Sequence, residues 1–472
     1  MRNTTSQRAR RRFLGQLGAL AGAAARPVIR HPAAALSTLG ALNWSRLAAA
    51  ADVPGDYKAL ICIFLYGGND SHNCVIPSDP DGHATYARAR RGLTIEADTL
   101  LPLPDAAHLD PLGRSFGLNP DMAALKPVYD AGRLAATLSV GPLVEPLTKQ
   151  QYRDRTRRRP PSIGSHSDQQ FQTQTCGIFD ADMGYTGWHG RLSDYFYGSN
   201  VGLSTFTNVS LSGDNVIQVG EQVLPYAVNT RGEIEVPVSR FVGGGLQGRL
   251  DAGRRALLFG TPHVFDGAYS EKKARALEGN QALAEALADA QPIAGFPPGR
   301  LGGQLQAIAQ IISVASRIGI RRQTFFASMG GFDTHSDQNN RHPRLIRELA
   351  DGMAAFDAWA QANGLGEKVT TFSASEFART FAMNGNNGSD HAWSGVQFVQ
   401  GAAVRGGLYG RMPDQTIDGP DDVGGRGRFI PDTAVDQVAA TLAKWYGVPA
   451  DDLPIICPNI ANFDTDDLGF MV

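Results

Sequence analysis

Cysteine and long apolar runs are both sparse in this chain, and each shortage closes off a class of protein. Four cysteines in 472 residues make no CxxC pair and no knuckle spacing, so neither a zinc ribbon nor a disulfide scaffold is on offer. Cys62 lies in the apolar run "ALICIFLY" and reads as core, while a Cys74–Cys176 or Cys176–Cys457 bridge stays open. No segment beyond residue 50 reaches the ~18 consecutive apolar residues of a spanning helix, which argues against stable membrane insertion there. At 42% hydrophobic and 19% charged residues the chain has a globular composition, and 54 glycines, many beside polar residues, point to tight loops.

Acidic residues are missing from residues 1–50, which hold eight arginines. The opening "RARRRFLGQLGALAGAAA" pairs Arg10 with Arg11 ahead of Phe13-Leu14 and a mild apolar run, the pattern of a twin-arginine export signal. That reading makes the twin-arginine translocase a partner during export and places the product in the periplasm or outside the cell. Small-residue cleavage sites lie near Ala25 and near Ala50, of which the second is preferred, giving a leader over 1–50 and one α/β domain over 51–472. Without residues 1–50 the chain keeps 36 basic against 46 acidic side chains, a net charge near −10. Such a surface excludes nucleic acid as partner, because phosphate binding needs concentrated cationic charge.

Hydrophobic patterning predicts alternating strands and helices. "KALICIFL" reads as a strand buried on both faces, as in a parallel sheet covered by helices. Residues 71–118 read as loop, "LNPDMAALKPVYDAG" as a helix stopped at Gly132, and "RLAATLSVG" as the next strand. Residues 200–300 form a possible insertion or cap with helix over 270–290. Beyond it come a helix at "GQLQAIAQIISVASRIGI", strands at 324–328 and 369–374 with a helix over 342–361 between them, the apolar segment "GVQFVQ", and a helix after Pro431 that ends at Gly447. Helices alternating with buried strands make an α/β fold.

Four polar motifs punctuate the strand ends. "GGND" places Asp70 after the first strand, and "GGFDTHSDQ" places Asp333 and His335 after the strand at 324–328. "SEFART" places Glu376 and Arg379 after 369–374, and "GSDH" adds Asp390 and His391. Ligands of open α/β sheets sit beyond the carboxyl ends of the strands, and carboxylates with imidazoles are natural donors for a divalent ion. Four gathered carboxylates would repel one another, so a metal sits among them, or protons do, or the loops stay apart.

Through "FLYGGNDSHNCVIP", "LNPDMAALKPVYDAGRLA", "SHSDQQ", "GFDTHSDQ", "SEFART", "GSDHAW" and "GAAVRGGLYG", the sequence resembles the DUF1501 family, exported bacterial proteins of the alkaline phosphatase and sulfatase superfamily. That resemblance implies an alkaline-phosphatase-like three-layer sandwich with a largely parallel central sheet and insertions. It also implies a site of one or two divalent ions, zinc being one option. Asp70 and Glu376 would serve one ion, and Asp333, His335 and His391, with Asp390 beside them, the other. Ser165 in "IGSHSDQQ" is a candidate hydroxyl nucleophile or simply a helix cap, and His166 a ligand or general acid. Arg379 would hold a phosphoryl or sulfuryl oxygen, or else pair with Glu376. Two positions depart from the family pattern, Ala378 in "SEFART" and Ala392 in "DHA", each where glycine is commoner. No sulfatase "CxPSR" signature is present. The expected function is a metal-dependent hydrolase of a small-molecule or glycan ester of phosphate or sulfate. The alternative is a non-catalytic periplasmic binding or maturation protein that keeps the fold and one metal.

Overall fold

The run at 58–65 forms the central strand, and its alternation builds a core on each side. Ala59, Ile61, Ile63 and Leu65 enter one apolar cluster, while Leu60, Cys62 and Phe64 enter the other. The structure, a computed structural model, describes residues 57–105, 110–177, 185–200, 204–229, 283–288, 290 and 293–472. The export leader, most of the proposed cap and most of the helix expected over 270–290 fall outside the described residues.

In chain order the strands are β1 (Lys58–Leu65), β2 (Val75–Pro77), β3 (Leu101–Pro102), β4 (Phe116–Leu118), β5 (Leu134–Gly141), β6 (Asn208–Ser210), β7 (Tyr226–Ala227), β8 (Arg322–Met329), β9 (Val369–Ala374), β10 (Gly395–Gln400), β11 (Gly407–Tyr409) and β12 (Thr433–Ala434). The main sheet runs β11-β5-β10-β9-β1-β8-β6-β7, with β12 also paired to β5. β1 lies parallel to both β8 and β9, whereas β10 is antiparallel to β9 and to β5. Helices α4 (Arg300–Ser313) and α5 (Gln338–Ala362) cover one face through Leu305, Ile308, Ile346 and Met353. Helices α3 (Trp188–Tyr195) and α6 (Val435–Tyr446) cover the other through Trp188, Leu192, Val438 and Leu442. This is the expected three-layer α/β sandwich with a largely parallel sheet. All four cysteines are buried free thiols.

Several elements differ from the sequence expectation for local reasons. The stretch 71–118 holds helix α1 (Pro80–Arg90) and the small antiparallel sheet β2-β4-β3. Asp79 caps α1 by accepting from Gly82 N at 2.7 Å, with Pro80 in the first turn. The helix expected at 119–131 divides into a 3-10 turn, Pro120–Leu125, and a short helix, Lys126–Asp130. Met122 inside that turn is non-helical (φ −102°, ψ 23°). Helix α5 begins at Gln338, earlier than expected. Helix α6 begins at Val435 because Thr433 and Ala434 pair with Val140 and Gly141 first.

The reversal of β10 matters for function. The loops after β1, β8 and β9 leave from the carboxyl edge of the sheet, and the loop that leads into β10 arrives at that same edge. Four separate segments therefore converge, as open α/β sheets allow.

Candidate metal centre

Two glycines and a backbone ladder fix the four loops against one another. Gly67 has φ +116°, and a Cβ there would lie 2.3 Å from Asp333 N; Gly68 has φ +84° and lies as closely against the Phe377 ring. Only glycine tolerates both the conformation and the contact. The segments 378–380 and 390–393 are zipped by Ala392 N to Ala378 O at 2.9 Å and Thr380 N to Asp390 O at 2.8 Å. Neither Ala378 nor Ala392 has a positive φ, so the methyl groups that depart from the family pattern carry no backbone strain. His166 arrives from the first turn of α2 (His166–Gln174).

Three imidazoles converge on Asp333. His335 Nε2 and His391 Nε2 lie 3.1 and 3.2 Å from Asp333 Oδ1, and His166 Nε2 lies 3.6 Å from Oδ2. Each ring is oriented through its other nitrogen. His391 Nδ1 donates to Gly164 O at 2.7 Å, which must be the direction because a carbonyl has no proton to give. His335 Nδ1 donates to Asp390 Oδ1 at 2.9 Å, and His166 Nδ1 to Glu376 Oε1 at 2.8 Å. That glutamate oxygen also receives Gly67 N–H at 2.8 Å and Gln170 Nε2 at 3.1 Å, so it is an acceptor. A ring that carries its proton on Nδ1 offers a lone pair on Nε2. His335 Nε2 and His391 Nε2 stand only 2.9 Å apart, a spacing that two bare lone pairs resist and that a shared proton or a cation between them relieves.

The donor set fits a divalent ion. Ligand atoms of His166, Asp333 and His391 all lie within 4.8 Å of one another, and metal-ligating histidines are usually held through the second nitrogen in this manner. Burial lowers the His391 pKa, helped by the charges of Arg379 and His166 and opposed by the Gly164 carbonyl. His166 moves the other way, because the hydrogen bond to Glu376 outweighs burial. Burial would raise the Asp333 carboxyl, yet the hydrogen bond and charge of Arg379 hold it below the usual range.

Position separates the expected site residues into different layers. Glu376 and Asp390 do not face the centre; they anchor His166 and His335 from behind, and Asp390 also accepts from Asn384 Nδ2 at 3.1 Å and Arg426 NH1 at 2.7 Å. Asp70 is fully buried in an ion pair with Arg90, also fully buried, and the same oxygen accepts from Gln338 Nε2. Burial would raise its pKa, but Arg90, with His342 and His72, holds it below the ordinary value. Asp70 Oδ2 is engaged by Arg90 and Gln338 and Glu376 Oε1 by His166, Gly67 and Gln170, while Asp70 Oδ1 is buried without a partner. Arg379 pairs with Asp333 at 2.6 Å, not with Glu376, and also donates to Gly67 O at 3.0 Å and to Ser389 O. Both terminal nitrogens donate to the protein and the side chain is fully buried, so no exposed fork faces a substrate oxygen, although Nε has no partner. Ser165 is the N-cap of α2 and donates to Asp168 Oδ2 at 2.5 Å.

The repulsion among four carboxylates has a solution that the sequence did not suggest. Arg90, Arg379 and Arg426 neutralise Asp70, Asp333 and Asp390 in turn. Beside the centre lies a cleft of about 330 Å³, whose lining includes Gly164, His335, His391, Asp390, Arg426 and Arg428. Arg90, Arg426, Arg428 and the Gly164 carbonyl were missed, although arginines flanked by glycine in "GGRGR" are visible in the text.

Fold and site together define an α/β protein with a histidine–carboxylate centre at the carboxyl edge of its sheet. A profile of the family described as "Protein of unknown function (DUF1501)" matches residues 261–423, a span that includes Asp333, His335, Glu376, Arg379, Asp390 and His391. No curated protein matches the chain. Among solved structures it is similar to the lipoteichoic acid synthase LtaP from Listeria monocytogenes, at 8% identity over 89% of this chain and 81% of that one, TM-score 0.35. It is similar to Ps i-CgsB at 10% identity over 86% and 77%, TM-score 0.34. It is also similar to the PsFucS1 sulfatase from Pseudoalteromonas sp. at 10% identity over 91% and 74%, TM-score 0.32. Among the described residues no helix is long and apolar enough to cross a membrane.

Proposed function

We propose that the chain is an exported, metal-dependent hydrolase acting on a phosphate or sulfate ester of a small molecule or glycan, with zinc the best match to the donors. One observation carries this reading: three Nε2 atoms, each oriented by an acceptor on Nδ1, surround the single carboxylate of Asp333. His166, Asp333 and His391 would hold the ion, the three-ligand count of catalytic zinc sites. When bound, the ion supplies Lewis acidity toward an ester oxygen and makes water more acidic.

The remaining roles belong to the chain. His335 lines the cleft, and Asp390 on its Nδ1 fixes the ring in the histidine–carboxylate arrangement of a general base. It takes the proton of an attacking water at Nε2. Water is the nucleophile because the Ser165 hydroxyl is spent on Asp168. Arg379 keeps Asp333 ionised and aimed. Glu376 holds His166 in its rotamer and is itself fixed by Gly67 N–H.

The commitment of Ser165 and Arg379 to the protein favours one competing reading, a periplasmic binding protein that keeps a single ion without turnover. Elemental analysis of purified protein, followed by phosphomonoester, phosphodiester and sulfate ester assays, separates the two. The hydrolase reading expects one bound ion, loss of that ion in His391→Ala, and retained ion with lost turnover in His335→Ala. A bound ion with no turnover on any ester overturns it in favour of the binding protein.

A further inference from the structure

The segment 418–428, "DGPDDVGGRGR", forms one wall of the cleft and is built around a single buried carboxylate. Asp422 is fully buried and accepts five backbone N–H groups. Gly424, Gly425 and Arg428 donate to Oδ1 at 2.9, 3.0 and 3.0 Å, and Asp418 and Gly427 to Oδ2 at 3.0 and 2.9 Å. Gly425 and Gly427 adopt φ +68° and +77°, and a Cβ on Gly427 would meet Phe381 Cβ at 2.3 Å. The segment is also tied to the residues after Arg379, with Phe381 N donating to Gly427 O at 3.1 Å and Ala382 N to Arg426 O at 3.0 Å. A loop so fully prescribed presents its side chains in fixed places.

Those side chains are Arg426 and Arg428, and both line the cleft with His335 and His391. Arg428 is the more telling. Its NH2 group reaches only the His391 carbonyl at 3.2 Å, its Nε is buried without a partner, and among the described residues no carboxylate pairs with it. A half-buried guanidinium without a counter-charge is costly, and an anion in the cleft removes that cost. Arg426 is paired with Asp390, but both members are open to solvent, at 48% and 34% exposure. Water weakens such a pair, which leaves Arg426 able to share its charge with an incoming anion.

We infer that Arg426 and Arg428, on the loop folded by Asp422, form the subsite for the tetrahedral oxyanion of the substrate, phosphate or sulfate, taking the part that Arg379 cannot play. The inference rests on the hydrolase reading for the word substrate, and on the cleft alone for the anion. A planar guanidinium fork matches two oxygens of such a group, and the neighbouring Nε2 atoms lie on the other wall. Asp422 is a positioning residue that acts through the two arginines.

The test is calorimetric titration of the full chain, loaded with one equivalent of zinc, with inorganic phosphate and separately with inorganic sulfate. Wild type is compared with Arg428→Ala, Arg428→Lys and Arg426→Ala, and the zinc content of each is measured. One anion per chain is expected, weakened about tenfold or more in Arg428→Ala, partly restored in Arg428→Lys and weakened less in Arg426→Ala, with zinc content unchanged. The arm with the higher affinity identifies the oxyanion. Wild-type affinity in both alanine variants, or no binding of either anion to the wild type, overturns the subsite. Ester turnover separates the two readings: anion binding that depends on Arg428 without turnover keeps the subsite and discards the hydrolase. Turnover with anion affinity indifferent to Arg428 does the reverse.

Discussion

Replacing Asp70 by Asn distinguishes a metal ligand from a buried counter-charge. Asn keeps the shape of the side chain and its hydrogen bond from Gln338, but withdraws the charge that Arg90 faces. Both partners are fully buried, at 0% exposure each, so solvent offers no relief, and removing one member of such a pair costs ~3–5 kcal/mol. Arg90 retains the carbonyls of Thr380 at 3.2 Å and Phe381 at 3.0 Å, which places the expected loss at the lower end, ~3 kcal/mol. The pH dependence follows from the depressed Asp70 pKa. Stability from this carboxylate is present above the unfolded value near 3.8 and is lost as pH falls through the lower folded one, so the deficit of Asp70→Asn is full at neutral pH and shrinks in strong acid. Urea unfolding at neutral pH gives the deficit, and elemental analysis of the same samples gives the metal. A lower midpoint with unchanged metal content is expected, with partial recovery when Arg90→Gln is added. An unchanged midpoint together with a lost ion refutes the argument and makes Asp70 a ligand.

Other perturbations probe the same assembly. His72 is buried with neither ring nitrogen partnered, and burial lowers its pKa from 6.5 to about 4. Its neutral burial therefore stabilises fully above pH 6.5 and is lost as pH falls toward 4, a span worth about 3 kcal/mol. His72→Leu should flatten the acid limb of a stability–pH curve by that amount, and an unchanged limb would count against it. Glu376→Gln, which weakens the acceptor behind His166, should loosen metal binding about 10–100-fold in chelator competition. Equal affinity would mean that His166 is not a ligand. Gly67→Ala must place a methyl at φ +116° and 2.3 Å from Asp333 N. The backbone alone costs about 1–3 kcal/mol, so thermal stability and metal content should fall together, and a variant that keeps both shows that the loops can part.

How much of this was readable from the sequence depends on range. β1, β8 and β9 were plain because strands buried on both faces are written as continuous apolar runs, and the glycines after them marked where the polar residues would emerge. Helix α1 was hidden because Asp79-Pro80, its start signal, sits in a stretch whose composition reads as loop. The direction of β10 was unreadable, since apolar patterning is the same for parallel and antiparallel strands. At the site, the residue types were legible and their layers were not. Asp333 and His391 share one surface, while Glu376 and Asp390 stand behind the rings, and spacing along the chain does not say which face of a histidine a carboxylate will meet. The partners that decide the matter, Arg90 for Asp70 and Gly164 for His391, are separated from them by 20 and 227 positions.

The arginines that accompany Asp70, Asp333 and Asp390 have a consequence for the life of the molecule before any ion arrives. Because these counter-ions are part of the polypeptide, most of the negative charge around the centre is balanced without a metal. Folding should therefore not depend on an ion, and one bound in the proposed centre would meet an assembled scaffold at the histidine edges.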